Sequence, residues 1–205
     1  MPDKKYSVIV FDLGNVLLPF NYDSVTQKFN KIKPGLGDKF KKLYAENYDI
    51  HRKFERGDIF VEDFLTIMMD WLEGRVFGKE FCKIFSDIFT VNQELVKLLP
   101  VLKKKYKLVL LSNTNYIHKK YGYGHQEFLN HFDKLFLSHE VRAIKPEKEI
   151  YKAVEKYTGK PSGEHLFIDD IKEYVDGAKK CGWDAIQFIE NDQLIKALEL
   201  KKVLK

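Results

Sequence analysis

The feature that most constrains the fold is the short apolar run Val8–Phe11, which ends directly at Asp12 and a glycine-containing turn. Four consecutive β-branched or aromatic residues are typical of a central strand in a parallel sheet. Open α/β sheets bind their ligands at the carboxyl ends of such strands. Aspartate is also common at helix starts, so Asp12 taken alone is equally well interpreted as a helix cap. The rest of the chain decides between these interpretations.

Polar residues follow two further strand-like runs and precede one helix-like stretch. The runs cover residues 108–111 and 166–168, and the helix-like stretch begins after Pro146. The polar residues at these points are, in chain order, Ser112 and Asn113, then Lys145, then Asp169 and Asp170. Parallel strands present their carboxyl ends at one edge of a sheet, so we expect these side chains to lie near Asp12.

Strand-like and helix-like segments alternate along most of the chain. Strand signals lie near residues 6–11, 106–111, 134–138, 165–168 and 185–189. Apolar residues at helical spacing predict one helix over residues 93–105 and another over residues 147–157. This alternation predicts an α/β fold with a parallel sheet, right-handed crossovers and helices that cover the sheet.

Residues 20–91 interrupt the alternation. They show helical periodicity, glycine-containing turns and no clear strand, so we expect an inserted helical bundle with Asp58 as one N-cap. The predicted domains are therefore a core of residues 1–19 and 92–205 and a helical domain of residues 20–91. Large apolar side chains expected to form the core of the bundle are Phe54, Phe60, Phe64, Met68, Trp71, Phe77, Phe81, Phe85 and Phe89.

The order of the polar residues resembles the four motifs of the haloacid dehalogenase-like (HAD) hydrolases: a carboxylate, a hydroxyl with an amide, a lysine and paired carboxylates. The phrases FDLGNV (residues 11–16), LSNTN (residues 111–115) and KPE (residues 145–147) are most similar to those of small sugar-phosphate phosphatases related to bacterial α-glucose-1-phosphate phosphatase. The resemblance covers essentially the whole chain. It implies a Rossmann-like HAD core with residues 20–91 as its cap.

This resemblance implies a Mg²⁺-dependent phosphatase that hydrolyses a small phosphomonoester, with a sugar phosphate as the leading candidate. Asp12 would be the catalytic nucleophile and would form an aspartyl-phosphate, which divides one difficult displacement into two easier ones. Lys145 would be the second catalytic residue, because its ammonium group neutralises the transferring phosphoryl oxygens.

The same resemblance assigns the ligands. Mg²⁺ usually takes one or two carboxylates and keeps several waters, and here it would bind Asp12, the Gly14 carbonyl and Asp170. Asp169 would support the ion directly or through water. The residues that would bind the phosphate are Leu13 and Gly14 through their amides, and Ser112, Asn113 and Lys145 through their side chains.

One position departs from the family pattern. Most phosphatases of the superfamily carry a second aspartate two residues after the nucleophile, as general acid and base, but this chain has Gly14 there. Loss of a general acid typically costs about 10²–10⁴-fold in rate. Three explanations stay open: a leaving group as acidic as an anomeric hydroxyl, proton handling by a cap residue or by Asn15 through water, or a slow hydrolase whose role is binding.

Two other functions are alternatives. A haloacid dehalogenase-type hydrolase would use Asp12 to attack carbon without Mg²⁺, and Asp169 and Asp170 would then have little purpose. A weakly active or non-catalytic phosphate-binding HAD protein would keep the pocket without turnover. Asp176 is interpreted either as a brace for the Lys145 region or as an exposed residue.

The histidines after Asn113 lack the spacing of a metal site. We expect them on the surface of a loop or helix, although proton transfer by one of them stays open. These residues are His118, His125 and His131.

Composition narrows the class of protein further. Hydrophobic residues make up 44% and charged residues 32% of the 205 residues, and no apolar run approaches the roughly 18 residues of a membrane helix. Residues 1–5 leave no room for a signal peptide before the first strand, which favours the cytoplasm. The net charge of +5 is dispersed and no nucleic-acid module is visible. We therefore expect a small phosphorylated substrate as partner, and neither nucleic acid nor membrane. The sequence leaves the oligomeric state open.

Overall fold

The computed structural model describes residues 5–204, in which five strands and eleven α-helices are assigned. The strands are β1 (Val8–Phe11), β2 (Lys107–Ser112), β3 (Lys134–Leu137), β4 (His165–Asp169) and β5 (Asp184–Gln187). The helices are α1 (Asp23–Ile32), α2 (Leu36–Glu46), α3 (Tyr48–Arg56), α4 (Val61–Trp71), α5 (Gly78–Ser86), α6 (Gln93–Val96), α7 (Leu99–Lys103), α8 (Ser138–Val141), α9 (Lys148–Thr158), α10 (Lys172–Lys180) and α11 (Asn191–Leu200).

The strands form one parallel sheet in the order β3-β2-β1-β4-β5. The first strand of the chain therefore lies at the centre of the sheet, and the chain moves to one side for β2 and β3 and to the other for β4 and β5. An open sheet of this kind binds its ligand where the strand order reverses, which here is the end of β1. The predicted α/β fold with a parallel sheet is confirmed.

Alternate residues of the strands serve two different hydrophobic layers, because successive strand side chains point to opposite faces. Ile9 and Phe11 belong to the layer that α6, α7 and α11 cover. Val8 and Val10 belong to the layer that α9 and α10 cover. All four side chains are at most 1% exposed, which explains why the run is apolar throughout instead of alternating.

The helices α1 to α5 lie between β1 and β2 and have a hydrophobic cluster of their own. That cluster contains no residue of the sheet. The two connecting segments run side by side, since Phe20 pairs with Phe89 and the Asn21 amide donates to the Ile88 carbonyl at 3.0 Å. The exact division between residues 1–19 with 92–205 and residues 20–91 stays a prediction.

The helix predicted over residues 93–105 is wrong as a single element. The structure has two short helices, α6 and α7, separated at Lys97 and Leu98. Pro100 explains the break, because proline has no amide hydrogen and its ring clashes with the carbonyl four residues earlier. The helix predicted over residues 147–157 is confirmed as α9.

Two expectations about the inserted helices are also wrong. Asp58 is not an N-cap: α3 ends at the left-handed Gly57, α4 begins only at Val61, and Asp58 instead forms an ion pair with Arg56 at 3.2 Å. Phe60 and Phe77 are 71% and 70% exposed and do not join the bundle core. Each residue immediately precedes a helix, outside the face that packs inward.

No helix within residues 5–204 is long and apolar enough to cross a membrane. The expectation that residues 1–5 leave no room for a signal peptide concerns residues that, except for Lys5, lie outside the described part of the chain.

Candidate active site

Three strand ends meet at the centre of the sheet. Phe11 is paired with Leu110 of β2 and with Ile168 of β4. Asp12, the residue after β1, therefore lies level with the ends of both neighbouring strands. Its amide donates to the Ile168 carbonyl at 2.8 Å. This register brings together the predicted residues on β1, β2 and β4.

Lys145 joins the carboxylates that follow β1 and end β4. Its Nζ lies 2.7 Å from Asp12 Oδ1 and 2.6 Å from Asp169 Oδ2. Lys145 is 1% exposed, Asp12 6% and Asp169 fully buried. Buried charges are tolerated when they are paired and hydrogen-bonded in this way.

The charges at this point influence one another strongly. Burial raises the pKa of the Asp12 carboxyl, and the ammonium group of Lys145 partly offsets this rise. Burial alone would lower the pKa of Lys145, but the Asp12 and Asp169 carboxylates outweigh it and hold the pKa above its ordinary value. The ammonium group therefore stays charged, and it is the only cation in contact with the Asp12 carboxylate among the described residues.

The acidic residues here fit a divalent cation. One carboxylate oxygen from each of Asp12, Asp169 and Asp170 lies within 4.8 Å of the others. Three carboxylates face a single ammonium group, so the cluster carries more negative than positive charge. Hard oxygen ligands with excess negative charge are what Mg²⁺ prefers. Asp169 differs from the other two, because its Oδ1 accepts the Ile171 amide at 2.8 Å and its Oδ2 accepts from Lys145.

The predicted phosphate-binding residues line one cavity of about 480 Å³. The residues of the predicted site found in its wall are Asp12, Leu13, Gly14, Ser112, Asn113, Lys145 and Asp170. Asn113 is held in place by a double contact with the Lys145 backbone: its Oδ1 accepts the amide at 2.8 Å and its Nδ2 donates to the carbonyl at 3.1 Å. Of the predicted site residues, only Asp169 is absent from the wall, because it lies behind Lys145.

The Gly14 position has little room for a side chain. A Cβ placed there would lie 3.1 Å from Cε1 of Phe20. The neighbouring Asn15 is exposed and adopts a left-handed conformation with φ of 52°, and its Nδ2 lies 3.3 Å from Asp170 Oδ2. Asn15 therefore contacts the acidic cluster from the solvent side.

The opposite wall of the cavity comes from the inserted helices and is mainly aromatic. Tyr22 lies just before α1, Tyr44 lies on α2, and Tyr48 lies at the start of α3. Burial raises the pKa of the Tyr22 and Tyr44 hydroxyls well above their ordinary value, so both stay protonated at neutral pH. This wall offers hydroxyl groups and ring faces to whatever enters the cavity.

Helix α3 adds a charged group to that wall. His51 Nε2 lies 3.1 Å from Glu55 Oε1, and Arg52 Nη1 lies 3.4 Å from Glu55 Oε2. Burial acts to raise the pKa of the Glu55 carboxyl, but His51 and Arg52 hold it below its ordinary value. Glu55 is therefore a carboxylate at neutral pH although it is only 8% exposed.

The sequence analysis missed these residues of α3. Their spacing of three and four positions, which places His51, Arg52 and Glu55 on one helical face, is the signal that was available. The same spacing occurs on ordinary surface helices, so it does not by itself indicate a site.

The histidines differ from one another. His118 is buried in the cavity wall, contrary to its expected surface position, and stacks on Phe85 with ring centroids 4.6 Å apart. Burial first and the charge of His51 second lower the pKa of His118 to about 3, so its ring is neutral. His125 is exposed and His131 partly exposed, as expected. Asp176 pairs with Lys172, within its own helix.

The wall of the cavity that the sheet and its loops form is called the sheet side, and the wall that the inserted helices form is called the helical side. Helix α3 is also fixed to the sheet side. The Ser138 hydroxyl donates to the Glu55 carbonyl at 2.6 Å, and Arg52 Nη2 donates to the Lys145 carbonyl at 3.3 Å. Gly57 passes so close to the sheet side that a Cβ there would lie 2.6 Å from the His139 carbonyl oxygen. The two walls of the cavity therefore meet along α3.

Comparison with known proteins agrees with this geometry. A model of the haloacid dehalogenase-like hydrolases matches residues 6–182. D-ribitol-5-phosphate phosphatase of Bacteroides thetaiotaomicron is 32% identical over 189 residues, which covers 87% of this chain and 90% of that protein.

Solved structures show the same likeness. A HAD family enzyme from Bacteroides thetaiotaomicron, crystallised with magnesium and inorganic phosphate, superimposes with a TM-score of 0.80 at 27% identity over 93% of this chain and 98% of that one. L-2-haloacid dehalogenase from Xanthobacter autotrophicus superimposes with a TM-score of 0.63 at 20% identity over 96% of this chain and 83% of that one, which shows a shared fold alone. The family match and the phosphatase relative together establish that this chain belongs to the haloacid dehalogenase-like hydrolases.

Proposed function

We propose that this protein is a Mg²⁺-dependent phosphatase that hydrolyses a small phosphorylated sugar or polyol through an aspartyl-phosphate. The observation that carries the proposal is the buried Lys145 ammonium group between Asp12 and Asp169, with Asp170 beside them, where Asp12, Lys145 and Asp170 line the cavity. The 32% identical relative is named for a phosphorylated polyol, which supports this substrate class.

Asp12 is the nucleophile in this proposal. Its Oδ1 is held by Lys145, so Oδ2 is the oxygen that attacks phosphorus. The P–O bond to the alcohol breaks, the alcohol oxygen takes a proton, and the phosphoryl group stays on Asp12. Water then attacks phosphorus, the P–O bond to Asp12 breaks, and inorganic phosphate leaves with the carboxylate regenerated.

Asp12, Asp170 and the Gly14 carbonyl would hold the Mg²⁺ ion. The ion would supply positive charge that offsets the repulsion between a carboxylate and a phosphate anion. Asp169 serves mainly to hold Lys145, since its carboxylate is fully buried and does not line the cavity. Lys145, Ser112 and the Asn113 side chain bind the phosphoryl oxygens. A dehalogenase would leave Asp170 without such a purpose.

Two titratable groups of the cavity wall are poorly suited to protonate the leaving alcohol. His118 is neutral because its pKa is about 3, and Glu55 is ionised because its pKa is depressed. Neither group donates a proton readily at neutral pH. A proton from water that Asn15 orients is therefore favoured over Glu55 or His118 as the acid.

Residues 20–91 form the cap domain in this proposal. Their separate hydrophobic cluster and the paired connecting segments support this division. The cap closes over the substrate, keeps water out during the first transfer and admits one water for the second. A cytoplasmic location and the absence of nucleic-acid partners stay predictions.

The test is phosphate release from sugar phosphates, polyol phosphates and an aryl phosphate, with Mg²⁺ or with EDTA. Wild-type protein should release phosphate only with the metal. Asp12→Asn should lower the rate on the order of 10⁴-fold or more, while the circular dichroism spectrum stays unchanged because Lys145 keeps its contact with Asp169. Substantial activity of the variant would remove Asp12 as the nucleophile.

A further inference from the structure

The carboxylate of Glu55 is the one anionic group that the inserted helices contribute to the cavity wall among the described residues. It lies on α3 and is not a member of the cluster of Asp12, Asp169 and Asp170, and its neighbours are His51 and Arg52. A buried carboxylate is costly unless donors surround it. The carboxylate in this largely aromatic wall therefore needs hydrogen-bond donors, either from the protein or from a ligand.

Glu55 has acceptor capacity to spare. A carboxylate offers about four lone-pair sites, whereas the Glu55 side chain has one contact with His51 at 3.1 Å and one long contact with Arg52 at 3.4 Å. A donor that enters the cavity can therefore bind the carboxylate without displacing either neighbour. Alcohol hydroxyl groups are such donors, whereas a fully ionised phosphate has no hydrogen to donate to the carboxylate.

His51 fixes the orientation of Glu55. The Tyr44 hydroxyl contacts His51 Nδ1, and His51 Nε2 contacts Glu55. A carboxylate only accepts hydrogen bonds, so Nε2 donates to Glu55. The Tyr48 ring stacks on His51 with centroids 5.1 Å apart. A side chain held in this way discriminates between ligands, because its rotamer is set before binding.

The surrounding rings suit the carbon chain of a polyol. Tyr44 and Tyr48 flank His51, and Phe85 and Tyr22 continue the wall towards Asp12. Apolar ring faces pack against C–H groups, while a few placed polar groups set orientation and specificity. The lining of the cavity therefore combines charged groups suited to phosphate with an amphipathic surface suited to a hydroxyl-bearing leaving group.

We propose that Glu55, oriented by His51, is a specificity residue that accepts hydrogen bonds from hydroxyl groups of the leaving group, so that the substrates are phosphate monoesters of polyhydroxylated alcohols. This inference rests on the proposed phosphatase function and adds the group that selects the substrate. A site built to bind a hydroxyl group rejects an analogue without it, because its own polar atoms are then left unpaired.

The experiment compares three phosphate esters with wild-type protein, Glu55→Gln and Glu46→Gln, all with Mg²⁺. D-ribitol 5-phosphate carries the hydroxyl groups, n-pentyl phosphate has the same chain length without them, and p-nitrophenyl phosphate has a good leaving group without a polyol. Glu46 is the matched control, since it is an exposed glutamate on α2 outside the cavity.

Glu55→Gln should lower kcat/KM for D-ribitol 5-phosphate about 10- to 100-fold, which corresponds to the loss of a hydrogen bond to a charged group. Most of the change should appear in KM, because the contact exists before and during the reaction. Values for n-pentyl phosphate and p-nitrophenyl phosphate should change less than about twofold, and Glu46→Gln should match wild type on all three esters. An equal loss on all esters, or no loss on any, would overturn the inference.

A binding measurement separates this inference from the proposed function. The affinity for D-ribitol 5-phosphate is measured by calorimetry in Asp12→Asn and in Asp12→Asn combined with Glu55→Gln, so turnover does not matter. A 10- to 100-fold weaker affinity in the double variant supports the inference even if wild-type protein hydrolyses none of the esters, an outcome that would refute the phosphatase. Equal affinities in the two variants would overturn the role of Glu55.

Discussion

The two walls of the cavity bury charged side chains of opposite sign. On the sheet side, one cation, Lys145, is enclosed by the carboxylates of Asp12 and Asp169. On the helical side, one anion, Glu55, is enclosed by His51 and Arg52 within an aromatic wall. The sheet side thus attracts a cation and a phosphate together, whereas the helical side is suited to neutral donors. In the proposed function, chemistry and recognition are therefore carried by separate parts of the chain.

Removing the Lys145 ammonium group should cause the largest loss of stability on the sheet side. Lys145→Met leaves two buried carboxylates without their cation, which typically costs about 3–5 kcal/mol. We expect this loss in the free energy of unfolding measured by urea denaturation in EDTA. Mg²⁺ should restore part of it, because an ion that binds only the folded state stabilises that state by mass action.

Lys172→Met is the control, since Lys172 is an exposed lysine paired within α10. It should change the free energy of unfolding by less than about 0.5 kcal/mol. If Lys145→Met cost no more stability than this control, the ammonium group would not be what stabilises the buried Asp12 and Asp169 carboxylates.

The next test concerns acid stability at His118, which follows β2 and stacks on Phe85 of the inserted helices. Burial lowers the pKa of His118 from 6.5 to about 3, so between these values the unfolded chain binds a proton that the folded chain does not. Stability from this group is complete above pH 6.5 and is lost as pH falls towards 3. Between pH 7 and pH 4.5 the loss should be about 2–3 kcal/mol.

His118→Phe should remove that part of the pH dependence. The difference between the free energies of unfolding at pH 7 and pH 4.5 should shrink by about 2–3 kcal/mol. His125→Phe replaces an exposed histidine and should keep the wild-type difference. Equal pH dependence in the two variants would contradict a buried, neutral His118.

A smaller effect is expected where the two walls touch. Gly57→Ala introduces a side chain at φ of 82°, with its Cβ 2.6 Å from the His139 carbonyl oxygen. A left-handed residue other than glycine costs about 1–2 kcal/mol, and the clash adds to that. Thermal or urea unfolding should therefore show a loss of about 2 kcal/mol or more.

Gly159→Ala is the matched control for that substitution. Gly159 also ends a helix in the left-handed conformation, with φ of 65°, but a Cβ there meets no atom within 4 Å. Its cost should be the backbone strain alone, about 1–2 kcal/mol. If both variants lost the same stability, the close approach of α3 to His139 would not matter.

The smallest effect is expected at Gly14. Gly14→Asp supplies an acid near the leaving group, but its Cβ crowds Phe20, a partly exposed ring that has to move. We expect about tenfold faster hydrolysis of alkyl phosphates, less than a well-placed acid provides, and little change for p-nitrophenyl phosphate. The same change for good and poor leaving groups would count against a missing acid.

The sheet side was predictable because its signals are local. An apolar run followed at once by a polar residue marks the end of a buried strand, and parallel pairing then brings Asp12, Asp169 and the Ser112 region to one edge. The resemblance to the HAD motifs supplied the roles of these residues. The structure agrees with the predicted positions of all five strands to within a few residues.

The helical side was not predictable, because its arrangement depends on contacts between distant parts of the chain. Whether Glu55 lies in a cavity or on a surface depends on how α3 packs against Ser138 and His139, more than eighty positions along the chain. Phe60 and Phe77 follow the apolar pattern but precede their helices, so they stay exposed. Periodicity identifies a helical face but does not say what that face meets.

The close contact at Gly57 has a consequence for how the length of the chain can vary. It fixes the end of α3, and each residue added to a helix rotates what precedes it by about 100°. An insertion or deletion between Glu55 and Gly57 would turn the Glu55 carboxylate out of the cavity. Length changes before Tyr48, at the Asn47 junction between α2 and α3, leave the register of α3 intact. Homologous chains that use this wall should therefore differ in length on the Asn47 side of α3 and keep a constant spacing from Glu55 to the glycine.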